Sequence, residues 1–270
     1  MTQNFYHDDV KVIKKPFKKR IKPYLIFLII FILMGGIVFS AIFISDTLAV
    51  SNISTIFVYG GKSIKFDSRE MFAVSLGSYD SEDEANKVAL GSTIQGGAGY
   101  VWKDNSKHYV LGSIYSTQEQ AERVINNLQG TKYDISILKI NLPKISLSFD
   151  EYDNKQVDSI SKAISVFSNV YDKVYNYSIS FDKSEMNNLA ISTQISTIRG
   201  EIKGYISTMQ SILSMPNAKV QEVQKALIKL DELLDQAIIK TIDNSSTASY
   251  LKYTICAAIS IEYDLRQKLA

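Results

Sequence analysis

The chain has 270 residues, with 30 basic against 28 acidic side chains, 46% hydrophobic residues, four prolines and one cysteine. A net charge of +2 excludes a uniformly basic nucleic-acid coat, and the apolar fraction excludes wholesale disorder. A single Cys256 excludes an internal disulfide framework and a cysteine-rich zinc site.

The charge is unevenly placed. Residues 1–23 hold seven basic side chains (Lys11, Lys14, Lys15, Lys18, Lys19, Arg20, Lys22) and two acids (Asp8, Asp9), and no charged residue follows until Asp46. Residues 24–44 are mostly Ile, Leu and Phe, and as a helix at about 1.5 Å per residue they would cross a hydrocarbon core of about 30 Å. The run is too long for the apolar part of a cleaved signal peptide, and its small-residue pair Ser40-Ala41 sits inside it. The sequence therefore predicts a basic cytoplasmic tail (1–23), one uncleaved transmembrane helix (24–45) and a linker (46–67). Because positive clusters stay inside, the N-terminus is expected in the cytoplasm and the rest outside the cell membrane. Beside a span, the Lys/Arg cluster reads as an orientation signal and lipid contact, with no nucleic-acid partner.

From Met71 to Leu76 the pattern is strand-like, and it runs through Gly77-Ser78-Tyr79 into Ser81-Glu82-Asp83-Glu84-Ala85. Ser81 with Glu84 three residues on is a capping-box signature, and three acids in the first turn suit the helix dipole. Thirty-six positions later the pattern returns: Val74 matches Val110, Tyr79 matches Tyr115, Ser81 matches Thr117, Ala85 matches Ala121 and Val88 matches Val124. Thr117 with Gln120 forms the second capping box. Strand-like stretches at 98–103 and 107–114 flank the turn residues Asp104-Asn105-Ser106, and 133–140 alternates once more. The expected order is βαββαβ, a ferredoxin-like antiparallel sheet of four strands with two helices on one face.

These residues, Phe72-Ala73-Val74-Ser75-Leu76-Gly77-Ser78-Tyr79 with Ser81 and Ala85, then Tyr109-Val110-Leu111-Gly112 with Tyr115 and Ala121, resemble the SPOR (sporulation-related repeat) domain over residues 68–142. The resemblance implies a non-enzymatic module that binds septal peptidoglycan, preferring glycan strands stripped of stem peptides. The family often has glutamine where this chain has Ser75, and Gly-Pro where it has Gly112-Ser113; the shorter serine reaches less far toward a sugar hydroxyl.

With helices on one face, the other face of such a sheet is expected to lie open along a sugar polymer. Aromatic rings with polar handles suit the C–H faces and hydroxyls of sugars. Trp102 and Tyr100 share strand parity, and Tyr109 and Ser75 lie on neighbouring strands, so Ser75, Tyr100, Trp102 and Tyr109 are the expected glycan-binding residues. The register at 109–110 is open: the repeat buries Val110, whereas the following glycine buries Tyr109. His108 beside Lys107, without a second histidine nearby, reads as a solvent-edge residue rather than a metal ligand.

After Pro143 the composition changes, with one proline and two glycines between 151 and 270. Apolar residues recur at spacings of three and four in four stripes: Val157 to Val174, Ile191 to Ile212, Val220 to Ala237, and Ala248 to Leu265 with Glu262 as a polar gap filled by Ile261. Breaks fall near 180–183, 215–218 and 243–247. Four antiparallel helices around one core are expected over 150–270. The stripes hold no histidine, phosphate loop or nucleophile motif, so no enzyme activity, cofactor or metal is expected. Cys256 reads as a buried inert thiol. The overall expectation is an α+β membrane protein that binds glycan at a division or sporulation septum and positions a helical domain, which could itself meet another envelope protein. The alternative is an envelope scaffold whose ferredoxin-like domain contacts protein instead of sugar.

Overall fold

The computed structural model describes residues 62–128, 133–213, 217–242 and 246–270. The basic tail, the predicted span and most of the predicted linker lie outside the described residues. Among the described residues no helix is long and apolar enough to cross a membrane. Everything described belongs to one compact unit, Asn52–Ala270.

The chain is α+β. Strands β1 (Ser63–Phe66), β2 (Arg69–Tyr79), β3 (Tyr100–Asp104), β4 (Lys107–Tyr115), β5 (Ser136–Leu142) and β6 (Ile145–Ser148) form two antiparallel sheets. The larger has the neighbour order β3-β4-β2-β5, with helices α1 (Glu82–Ile94) and α2 (Gln118–Asn127) inserted after β2 and β4. The βαββαβ order read from the repeat is thus present. The sequence signals act locally as expected. The Ser81 hydroxyl accepts from the Glu84 N–H at 3.3 Å, and Thr117 and Gln120 complete a reciprocal capping box. Asn105, at φ 52°, turns the β3–β4 hairpin.

Two short strands occupy stretches read as connecting chain. β1 pairs with β6, Phe66 opposite Ile145, just beyond the point where Arg69 of β2 faces Leu142 of β5. The two sheets are therefore one long antiparallel ladder broken at residues 67–68 and 143–144. Pro143 has no N–H to continue the ladder, which accounts for the break. The carbonyls freed there are taken up by the Arg266 guanidinium, whose Nη1 donates to Asp67 O at 2.8 Å and Pro143 O at 3.1 Å.

Helices α3 (Asn154–Asp182), α4 (Asn188–Ile212), α5 (Ala218–Ile242) and α6 (Thr247–Leu269) follow in antiparallel succession. α3 starts on a reciprocal Asp153–Gln156 capping box, and Asn187 caps α4 by accepting from the Ala190 N–H at 2.9 Å. The stripe residues face inward: Ile160, Phe167, Ile191, Ile202, Val223, Leu230, Leu251 and Ile255 are all buried. One apolar core runs without interruption from Met71, Leu111 and Ile140 of the sheet to Leu269 of α6.

Candidate functional site

The central sheet has two buried faces. On one, Val74, Leu76 and Val110 pack with Ala85 and Ala89 of α1 and Ala121 of α2. Small alanines let these helices lie close to the sheet. On the other, Met71, Ala73, Trp102, Leu111, Ile114 and Ile140 join the core shared with the helical region. The expectation of an open second face is therefore corrected: α6 lies across it.

Each predicted glycan-binding residue is placed accordingly. Trp102 is only 6% exposed, and its ring meets Tyr263 of α6 edge-on at 5.3 Å. Tyr100 meets Tyr253 in the same manner at 5.4 Å, and burial pushes its phenol up to about 12 despite a hydrogen bond with Ser260. Tyr109, the cross-strand partner of Trp102, is half-buried against the same core. Val110 is fully buried on the α1 side, so the two register readings describe the two faces of one strand. Ser75 is 1% exposed and turned inward at an irregularity between β2 and β4; its hydroxyl donates to Gly77 O at 3.1 Å and accepts from Gly77 N–H at 3.3 Å. The four residues share one sheet, with Ser75 and Trp102 buried and Tyr100 and Tyr109 half-buried against the core, so they do not form an open platform for a polymer. The physical reason is that aromatic rings on a half-covered sheet serve a helix as well as a sugar, and α6 supplies the complementary aromatics.

Beside this aromatic seam lies an ionic one that sequence reading missed. Glu262, taken as a polar gap, is 2% exposed. Its carboxylate accepts from Arg69 Nη2 at 2.7 Å, on β2, and from Arg266 Nε at 2.9 Å, one turn along α6. Arg69 also donates to Ser168 Oγ of α3 at 3.0 Å and lies over the Tyr171 ring. Burial lowers the Arg266 pKa against the pull of Glu262. Two guanidinium groups and one carboxylate thus fasten the sheet, α3 and α6 together in a nearly dry site, where breaking one partner leaves an uncompensated charge.

The α1–α2 face carries a cavity of about 190 Å³, walled by Val74, Leu76, Val124 and Leu128, with Lys252 at its side. The Lys252 ammonium is engaged: it donates to Gly96 O at 3.1 Å and pairs with Asp182 at 3.4 Å. No group of three or more His, Cys, Asp or Glu side chains able to hold a metal occurs among the described residues. His108, read at the solvent edge, is half-buried in the β3–β4 hairpin opposite Lys103. Cys256 is fully buried on α6, and burial raises its thiol pKa strongly.

Comparison with known proteins yields no match: no family model, no curated protein and no solved structure is similar to this chain.

Proposed function

We propose that the chain is a membrane-tethered, non-enzymatic interaction protein of the cell envelope, in which a SPOR-type sheet serves as the seat for the protein's own C-terminal helices. The observation that carries this reading is the seam of Tyr100, Trp102, Tyr253 and Tyr263 between sheet and α6. It favours the scaffold alternative over glycan recognition. The tail and span at 1–45 supply the tether, with the described region outside the membrane. An N-terminal span ahead of a SPOR-like domain is also the layout of stage II sporulation protein B, and this likeness supports an envelope setting.

Glycan binding on the same face requires α6 to leave it. Exposing Met71, Trp102, Leu111, Ile114 and Ile140 at about 1.5–3 kcal/mol for each large apolar side chain costs roughly 7–15 kcal/mol. That is the size of a whole domain's stability, about 5–15 kcal/mol. A hinged opening is therefore too expensive to serve as a routine switch. Co-sedimentation of residues 52–270 with purified peptidoglycan sacculi tests the reading. The expected recovery in the pellet is the same with and without sacculi. Sacculus-dependent sedimentation that rises after amidase treatment overturns it and reinstates the glycan reading.

A further inference from the structure

The sheet face beneath α1 and α2 is packed with small side chains. Its buried layer is Val74, Leu76 and Val110 with the alanines Ala85, Ala89 and Ala121, and beside it lies the cavity of about 190 Å³. The 36-residue repeat accounts for the space. Gly112 stands in the second copy where the first has Leu76, and both line the cavity. One copy fills the position with a leucine, and the other leaves it bare. Gly112 is also the residue passed over where β4 shifts register against β2, with Val74 facing Ser113 and Ser75 facing Leu111. Bulges of this kind recur beside binding sites. The backbone at 112 does not call for glycine. Unlike Gly77, Gly96 and Gly99, Gly112 has no positive φ, and a Cβ there would meet Leu76 at an ordinary 3.5 Å. The cavity is therefore missing side-chain volume, of a kind that close-packed interiors rarely keep.

We infer that this cavity is a binding site for a small uncharged aromatic molecule, one ring or a fused pair, carrying a single hydrogen-bond donor. Volume sets the size: an apolar cavity of about 150 Å³ admits benzene, so this one has room for a ring with a few further atoms. The walls set the shape. Val74, Leu76, Val124 and Leu128 give branched aliphatic surface, and Tyr115 and Tyr133 add aromatic surface that favours a ring over a flexible chain. Charge is excluded by what Lys252 already does. Among the described residues it is the only charged side chain on the wall, and its ammonium serves Gly96 O and Asp182. An anion would have to displace Asp182, and a cation would meet the ammonium. The donor follows from Ser92, which lines the cavity and is 1% exposed. Its hydroxyl gives its proton to Ala89 O at 2.9 Å, which leaves its oxygen as an acceptor. The cavity lies on the sheet face away from the Trp102–Tyr263 contact, so the inference does not rest on the closure of that other face.

Titration calorimetry of residues 52–270 with indole, paired with ¹H–¹⁵N spectra, tests the proposal. Indole is expected to bind with a dissociation constant below about 1 mM and to shift the amide signals of Gly96, Gly97 and Gly112. Indole-2-carboxylate, the same ring with a negative charge, should bind at least about tenfold more weakly. Gly112→Val fills the cavity from the strand and Val124→Phe fills it from the helix. Each should weaken indole binding at least about tenfold without lowering the melting temperature. Either variant suffices should the other fail to fold, which circular dichroism melting reports. Ile94→Ala, on α1 at a position 83% exposed and off the cavity wall, should bind indole as the wild type does. The absence of both heat and shifts up to the solubility of indole overturns the proposal. Binding that survives the filling variants, or that is equal for the carboxylate, overturns it as well.

Discussion

Replacing Trp102 by alanine separates a closed sheet from an open one. In the closed arrangement the indole is 6% exposed and meets Tyr263 at 5.3 Å. Removing it deletes about 150–250 Å² of buried aromatic surface, and Trp→Ala at such a site costs about 3–5 kcal/mol. An indole on an open sheet would cost no more than about 0.5 kcal/mol, because surface substitutions away from special contacts are nearly neutral. The assay is urea unfolding of residues 52–270 followed by circular dichroism, with thermal melting as a check. In a unit of this size the loss corresponds to a melting point lower by roughly 10 °C. Tyr263→Ala and the double variant complete a cycle in which the edge-on pair should show coupling of about 0.5–1.5 kcal/mol. A Trp102→Ala loss below about 0.5 kcal/mol, or strict additivity with Tyr263→Ala, refutes the reasoning.

Glu262→Ala leaves the nearly buried Arg266 and the partly buried Arg69 facing each other without a carboxylate, and unfolding by urea should register a loss of about 3–5 kcal/mol. Cys256, sealed and with its thiol pKa raised by burial, should resist iodoacetamide at mildly alkaline pH in the folded protein and react fully in denaturant. Modification of the native protein at the rate of the unfolded chain contradicts that burial. The Glu222 carboxyl is held down to about 2 by Lys225 and Lys268, against 4.5 when unpaired. Its contribution is therefore present above pH 4.5 and is lost as pH falls toward 2. Because the pairs are exposed, Glu222→Gln should cost less than about 1 kcal/mol at neutral pH, and the difference from wild type should vanish in acid. A gap in urea midpoint that widens on acidification would have the wrong sign.

Much of the architecture was legible because its signals are local. The 36-residue repeat, the caps at Ser81 and Thr117 and the period-two parity of Tyr100 and Trp102 all describe the chain as folded. The first three apolar stripes are buried as read, Tyr205 alone among them being half-exposed. β1 and β6 were not legible, since four residues of Ser-Ile-Lys-Phe or Ile-Ser-Leu-Ser are too few to establish alternation. The cover over the sheet was legible in principle and overlooked. Residues 254 to 259, Thr-Ile-Cys-Ala-Ala-Ile, give α6 no polar face along more than one turn. A helix apolar all round is buried on every side. Such a helix cannot merely complete a four-helix core; it needs a second apolar surface, and the aromatic face of the sheet is that surface. Glu262 hid the relationship, because its two guanidinium partners come from β2, 193 positions away, and from the next turn of α6.

The central claim, that α6 permanently closes the sheet, is tested most directly by the fluorescence of Trp102, the chain's single tryptophan. Emission from folded residues 52–270 is expected to be blue-shifted and resistant to iodide, and to stay so when amidase-treated glycan strands are added in excess. Solvent-like emission freely quenched by iodide, or a shift on adding glycan, would contradict the account.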